Sequence, residues 1–115
     1  MSAGVSVVIP CYKAAGFITE TLESVLAQTV PAREVIIVND GSPDTAEFEK
    51  VLAPFRDRIV YIHQENQGAS GARNTGIRAS TQPLVAFVDS DDTWEPNYIE
   101  VQTRYLEEHP DIAVV

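Results

Sequence analysis

Residues 84–96 read LVAFVDSDDTWEP, an apolar run joined directly to an acidic cluster. The five consecutive apolar residues at 84–88 are the pattern of a strand that is buried on both faces of a parallel sheet. The cluster then places three carboxylates within four residues, at Asp89, Asp91 and Asp92. If the chain stays extended beyond Val88, Asp89 and Asp91 point to the same side, because side chains in a strand repeat every two residues.

Two explanations fit the acidic cluster. Neighbouring carboxylates repel each other unless a cation lies between them, and a divalent metal ion with a phosphate ligand would supply that cation. Alternatively, Asp92 and Glu95 form a helix-capping pair, with Pro96 in the first helical turn, and no ligand is needed. The residues of this stretch alone leave both explanations open.

The rest of the chain alternates predicted strands with predicted helices. Apolar runs at 5–9, 35–38 and 59–62 indicate three further strands, and an unfinished apolar run at 112–115 predicts that the chain is cut there. Such alternation predicts right-handed crossovers and a mostly parallel, doubly wound, Rossmann-like α/β sheet. The apolar stripes that indicate helices lie within residues 18–26, 48–55, 65–80 and 98–106.

Two of these helices carry specific expectations. Asp44 and Glu47 predict a capped start for the second helix. Gly68, Gly71 and Gly76 weaken the third, so we expect only a short helix there, after a glycine-containing loop.

Length, charge and cysteine content restrict the class of protein. With 115 residues the chain is expected to form a single domain, 1–115. A formal net charge of −9 argues against nucleic acid or an anionic membrane surface as the main partner. The single cysteine, Cys11, excludes an internal disulfide and fits a reducing compartment. Without a signal peptide or an 18-residue apolar span, the expected location is cytoplasmic.

Three unusual clusters follow predicted strands, at residues 10–13, 39–42 and 89–92. In doubly wound sheets, ligands bind beyond the carboxyl ends of strands, where the strand order reverses. Loops also favour Asp, Pro and Gly for conformational reasons alone. Three such clusters together favour a ligand site at this edge of the sheet.

Four segments in this order resemble the amino-terminal half of family 2, GT-A type glycosyltransferases, and the resemblance covers nearly the whole chain. The segments are VSVVIPCYK at 5–13, VNDGS at 38–42, NQGASGARNTG at 66–76 and VDSDD at 88–92. The last resembles the Asp-x-Asp motif of that family. The resemblance implies a domain that binds a nucleotide-sugar donor, most often a UDP-sugar, for inverting transfer of the sugar to an acceptor hydroxyl.

The resemblance also implies donor-binding roles for four residues. Pro10 and Tyr12 would line the base pocket, with the Tyr12 ring against the base. Asp40 would accept a hydrogen bond from the base imide, and Arg73 would lie near the base or the diphosphate. A purely structural explanation stays open for three of them: a rim aromatic, a turn former and a surface-helix arginine.

A metal site and a missing catalytic base follow from the same resemblance. Asp89 would lie beside the ribose and the metal, and Asp91 would bind a Mg²⁺ or Mn²⁺ ion that bridges the two phosphates. In the family the general base comes from the later half, so we expect it beyond Val115. The chain alone would then bind the donor without turning it over, and its uncovered face would promote self-association.

Two other functions remain open. One is a non-catalytic nucleotide- or metal-binding module, or an interaction module, because fold does not fix function. The other is a nucleotidyltransferase of similar topology, which would need a glycine- and lysine-rich loop after the first strand. Residues 10–16 contain one glycine and one lysine, which counts against it. Neither the sugar nor the acceptor is indicated by the sequence.

Overall fold

One parallel sheet organises the computed structural model, which describes residues 3–108. Its strands run in the order β3-β2-β1-β4. Every helix and strand predicted within this range is present, with boundaries shifted by a few residues, whereas the predicted strand at 112–115 lies outside the described residues. The strands are β1 (Ala3–Cys11), β2 (Ala32–Asp40), β3 (Val60–Gln64) and β4 (Leu84–Phe87); the helices are α1 (Ile18–Leu26), α2 (Thr45–Leu52), α3 (Gly68–Ala79) and α4 (Tyr98–Glu108), with a short 3-10 helix at Ala53–Arg58.

The strand order confirms the predicted doubly wound sheet. β1 pairs in parallel with β2 on one side and with β4 on the other. The chain therefore runs outward through β2 to β3 and then crosses back to the opposite side of β1. The order reverses between β1 and β4, and in such sheets this switch point is where ligands bind.

The two faces of β1 belong to two separate cores. Val7 and Ile9 pack into a core that also contains Leu22 of α1 and Phe48 of α2. Val8 points to the opposite face and packs with residues of β2 and α3. This alternation explains why β1 reads as an almost continuous apolar run, since both of its faces are buried.

β1 continues to Cys11, two residues past the predicted strand at 5–9, and it includes Pro10. The carbonyl of Val8 accepts a hydrogen bond from the amide of Val88 at 3.2 Å and therefore faces β4. The nitrogen of Pro10, two residues on, faces the same side. Because proline has no N–H, the ladder between β1 and β4 cannot continue at Pro10, and β4 ends at Phe87.

Neither helix-capping pair considered from the sequence forms through its side chains. Asp44 is the N-cap residue of α2, as predicted, but its carboxylate makes no capping hydrogen bond. α4 begins at Tyr98, six residues after Asp92, so Asp92 and Glu95 do not cap its first turn. The structural explanation of the acidic cluster as a helix cap is thereby removed.

α3 is longer than predicted, with 12 residues that include three glycines. Gly76 lies against Val8 in the centre of the sheet, and a Cβ placed on it would lie 2.2 Å from Val8 Cγ1. The glycine is required because the helix backbone approaches β1 so closely. No helix among residues 3–108 is long and apolar enough to cross a membrane.

The outer edge of β4 has no paired strand among the described residues. A cavity of about 390 Å³ runs along it, lined mostly by apolar residues, and Ile77 and Phe87 are 45% and 40% exposed. Self-association through this face stays a prediction. We expect the light-scattering mass to rise with protein concentration, and Phe87→Lys to reduce the rise, since a charge blocks edge pairing. A mass that stays monomeric at millimolar protein would contradict it.

Candidate donor-binding cleft

A cleft of about 460 Å³ opens at the carboxyl ends of β1, β2 and β4. The residues that line it come from the last residues of β1 and β2, from the loops after β1, β3 and β4, and from α3. All six residues singled out from the sequence are among them: Pro10, Tyr12, Asp40, Arg73, Asp89 and Asp91. The fold thus brings together four segments that are far apart in the chain, while the individual roles of these residues remain predictions.

Asp40 is the most buried of these acids, with 4% of its surface exposed. Its Oδ1 accepts two hydrogen bonds, from Gln64 Nε2 at 2.9 Å and from the amide of Gln67 at 2.8 Å. Its Oδ2 has no hydrogen-bond donor among the described residues. One carboxylate oxygen is therefore fixed by the protein, and the other is left for a different donor.

The turn that carries Asp40 is organised by Asn39. The Oδ1 of Asn39 accepts a hydrogen bond from the amide of Ser42 at 3.1 Å, and its Nδ2 donates to Thr45 Oγ1 and to the Tyr61 hydroxyl, each at 3.0 Å. Tyr61 in turn donates to Glu49 Oε2 at 2.8 Å. Burial, helped by the nearby Glu49 carboxylate, raises the pKa of Tyr61 to about 12, so this hydroxyl keeps its proton.

Gly41 lets a second loop approach this turn. It has a positive φ of 65°, and a Cβ placed on it would lie 2.5 Å from the backbone nitrogen of Asn66. The side-chain amide of Asn66 donates to the carbonyl of Asp40 at 2.9 Å. Only glycine combines this backbone conformation with so close a contact.

The loop after β1 is held by residues that follow β2. Ser42 Oγ accepts a hydrogen bond from the amide of Lys13 at 2.8 Å, and Asp44 Oδ2 accepts one from the amide of Ala15 at 3.2 Å. The Ser42 hydroxyl also donates to Asp44 Oδ1. These contacts explain why the Asp44 carboxylate makes no capping hydrogen bond at the start of α2, and they support Lys13 in a conformation with φ of 55°.

Tyr12 and two cations form the open side of the cleft. Tyr12 is 48% exposed, and the Nζ of Lys13 lies 5.5 Å from the centre of its ring. Arg73 is exposed on α3 and has no ion pair among residues 3–108. The lining residues thus carry three carboxylates, of Asp40, Asp89 and Asp91, against these two cations.

The acidic cluster forms a turn and not an extension of β4. The amide of Val88 still bonds to β1, but the amide of Asp92 donates to the carbonyl of Asp89 at 3.0 Å and closes the turn. The extended geometry considered from the sequence is therefore wrong, because the chain must leave the sheet at the switch point. Asp89 and Asp91 nevertheless both line the cleft, and both are exposed.

Side chains of α1 hold this acidic turn in place. The buried hydroxyl of Thr21 donates to the carbonyl of Ser90 at 2.9 Å, and Ser24 Oγ accepts from the amide of Trp94 at 3.1 Å. Gln28, two residues after the end of α1, bonds to the start of α4. Its Nε2 donates to the carbonyl of Glu95 at 2.7 Å, and its Oε1 accepts from the amide of Ile99 at 2.9 Å.

Sequence reasoning missed these supporting residues, although a signal was present. Thr21 and Ser24 lie three residues apart on α1, and Gln28 follows at the i+7 position just beyond the helix, so the three polar residues share one helical spacing. The sequence also indicated no role in the site for Lys13 or Cys11. Burial raises the pKa of the Cys11 thiol, and this thiol donates to the carbonyl of Ile9, so it is a packing group in the cleft floor.

The donor set fits a metal ion that is shared with a ligand. Residues 3–108 contain no group of three or more His, Cys, Asp or Glu side chains that could enclose a metal. Mg²⁺ is usually bound by one or two carboxylates, with substrate phosphates and water completing its coordination. Asp89 and Asp91 supply that number of hard oxygen ligands.

Comparisons with known proteins agree with this geometry. The family model described as Glycosyl transferase family 2 matches residues 6–115. Glycosyltransferase GlyA of Streptococcus pneumoniae serotype 4 is 40% identical over 112 residues, which cover 96% of this chain and 16% of GlyA.

Two solved structures have a similar fold. The crystal structure of S. aureus TarS in complex with UDP-GlcNAc has a TM-score of 0.78 and 27% identity over 96% of this chain and 32% of that one. The mannosyltransferase PcManGT of Pyrobaculum calidifontis, in complex with GDP-Man and Mn²⁺, has a TM-score of 0.79 and 25% identity over 92% of this chain and 33% of that one. The chain thus spans a third or less of these relatives. With the GT-A fold and a family match over nearly its whole length, it belongs to glycosyltransferase family 2.

Proposed function

We propose that residues 1–115 form a single donor-binding domain that holds a nucleotide-diphospho-sugar, preferably a UDP-sugar, together with Mg²⁺ or Mn²⁺. The observation that carries the proposal is the convergence of four separate segments on one cleft at the switch point of the sheet. The TarS complex with UDP-GlcNAc and the PcManGT complex with GDP-Man and Mn²⁺ support it. The predicted cytoplasmic location is part of the same proposal.

Asp40 and Tyr12 recognise the base in this proposal. Because Asp40 Oδ1 is already occupied by two donors, Oδ2 accepts a hydrogen bond from the ligand. The imide N–H of uracil supplies that donor, and guanine also carries N–H groups on the corresponding edge. The half-exposed Tyr12 ring lies against the base, where it adds apolar contact, and Pro10 completes the pocket.

The diphosphate requires additional positive charge. Two cations already face three carboxylates in the cleft, and a diphosphate adds further negative charge. We assign Arg73 to the diphosphate, Asp91 to the metal, and Asp89 to the metal and the ribose. When bound, the metal stabilises the charge that develops on the departing diphosphate.

The reaction of the whole enzyme would be attack of an acceptor hydroxyl on the anomeric carbon, with inversion. A general base must lie within hydrogen-bonding reach of that hydroxyl. We expect this base in the region of the relatives that this chain does not match. Residues 1–115 are then responsible for donor binding, and donor binding is the activity to test.

Calorimetry with UDP and GDP, each with and without Mn²⁺, tests the proposal. We expect UDP to bind, and Mn²⁺ to tighten its binding about 5- to 150-fold, the usual range for coupled sites. Incubation with a UDP-sugar and simple acceptors should give no transfer above background. Absence of nucleotide binding would overturn the proposed function, whereas transfer by this chain alone would overturn only the expected position of the base.

A further inference from the structure

A chain of hydrogen bonds leads from α3 to the Asp40 carboxylate. Gln64, at the end of β3, donates from Nε2 to Asp40 Oδ1 at 2.9 Å. The hydroxyl of Thr75 donates to Gln64 Oε1 at 2.6 Å, and Arg78 donates from a guanidinium nitrogen to Thr75 Oγ1 at 3.3 Å. These hydrogen bonds therefore connect Asp40 on β2 with α3, the helix that also carries Arg73.

Each of these hydrogen bonds is donated by the group farther from Asp40 to the group nearer to it. A guanidinium group can only donate, so Arg78 fixes Thr75 Oγ1 as its acceptor. The single proton of Thr75 is then free for Gln64 Oε1, which lies closer at 2.6 Å than the carbonyl of Gly71 at 3.1 Å. With Oε1 occupied in this way, the amide NH₂ of Gln64 faces the carboxylate. The reverse orientation of the amide would place two acceptors against each other.

We propose that Gln64 is a positioning residue that holds the Asp40 carboxylate in the orientation that places Oδ2 against the base, and thereby sets which bases the cleft takes. The inference rests on the proposed function, since it assumes that a base meets Asp40 Oδ2. A base with an N–H at that position, such as uracil, is accepted. Cytosine presents an unprotonated ring nitrogen there, and its pairing with a fixed acceptor leaves both groups without a donor.

If these hydrogen bonds had only a structural role, a different result would be expected. If Gln64 and Thr75 only tie α3 to the sheet, their loss weakens UDP and CDP binding by the same factor. If they fix the orientation of Asp40, their loss lets the carboxylate turn toward the exocyclic amino group of cytosine, and the ratio of the two affinities changes. The selectivity ratio, and not affinity or stability alone, is therefore the measurement that decides.

The test measures UDP and CDP affinities by calorimetry in the presence of Mn²⁺. We expect the UDP-over-CDP preference to fall about fivefold in Gln64→Leu and Thr75→Val, the factor that one net hydrogen bond is worth. Thr75→Ser keeps the hydroxyl and should keep the preference. Thr103→Val is the matched control, because the Thr103 hydroxyl bonds only within its own helix, to the carbonyls of Ile99 and Glu100. Gln82→Leu is the control for the loss of an amide.

A second measurement examines the hydrogen bonds between Arg78, Thr75, Gln64 and Asp40 in the ligand-free protein. The measurement is the NMR signal of the Gln64 side-chain amide, which is assigned by its loss in Gln64→Leu. This signal should shift, and its hydrogens should exchange faster with solvent, in Thr75→Val but not in Thr103→Val. An amide signal insensitive to Thr75→Val would overturn the hydrogen-bond chain. An unchanged UDP-over-CDP ratio in Gln64→Leu would overturn the positioning role while metal-dependent UDP binding still supported the proposed function. A parent protein that binds no nucleotide would overturn both.

Discussion

Asp91→Asn should remove most of the factor by which Mn²⁺ tightens UDP binding, while Asp92→Asn should leave that factor within about twofold of the parent. Linkage of this kind amounts to about 1–3 kcal/mol, so the expected loss is about 5- to 150-fold. Asp91 lines the cleft, whereas its neighbour Asp92 is exposed and does not. Each substitution removes one negative charge from almost the same place, so long-range electrostatic effects are matched.

Neither substitution should change the fold. Both side chains are exposed, and the hydrogen bond that closes the turn uses the backbone of Asp92 and not its carboxylate. We therefore expect changes in the free energy of unfolding within about 0.5 kcal/mol. Calorimetry of UDP binding with and without Mn²⁺ measures the linkage, and urea denaturation checks stability. Equal behaviour of the two variants would show that the cluster holds no metal through Asp91.

Gly76→Ala should destabilise the protein by about 1–3 kcal/mol, the cost typical of overpacking in a core. In an ordinary helix interior the same change stabilises by roughly 0.5–1 kcal/mol, so the sign itself is informative. The new Cβ would lie 2.2 Å from Val8 Cγ1 and 3.0 Å from Cγ2. Val8 is fully buried in the central strand, and β-branched side chains have little rotational freedom.

Urea denaturation midpoints measure this effect, with Gly16→Ala as control. A Cβ at Gly16 meets nothing within 4 Å, so that variant should have nearly the stability of the parent. Adding Val8→Ala to Gly76→Ala should remove the clash, and the two changes should then cost less together than the sum of their separate costs. A Gly76→Ala protein more stable than the parent would contradict the close packing of α3 on β1.

The sheet could be predicted from the sequence because its central strands are buried on both faces. Residues 5–9 and 35–38 form apolar runs for this reason, and parallel strands require helical crossovers. The length of α3 could not be predicted in the same way. Three glycines argue locally against a helix, and the reason for Gly76 lies 68 positions earlier in the chain, at Val8.

The cleft residues could be predicted for a related reason. Parallel strands present their carboxyl ends at one edge, so segments after β1, β2 and β4 must meet there. The residues that support them are joined by contacts across long stretches of chain, such as Asp44 with Ala15 and Thr21 with Ser90. Local patterns contain no information about such partners. They placed Asp44 correctly at the start of α2, but they did not indicate that its carboxylate bonds to the loop after β1 and not to the helix.

The hydrogen bonds from α1 and from Gln28 to residues 90–99 reduce the entropy that a ligand must lose when it binds the acidic turn. Fixing the backbone of one residue costs about 1–2 kcal/mol of conformational entropy. In this protein Thr21, Ser24 and Gln28 hold residues 90–99 before any ligand arrives, so that cost is met during folding. A ligand that binds the turn therefore does not have to order it. Affinity at the cleft and stability of the α1 contacts are accordingly linked, and a change that loosens this helix weakens both.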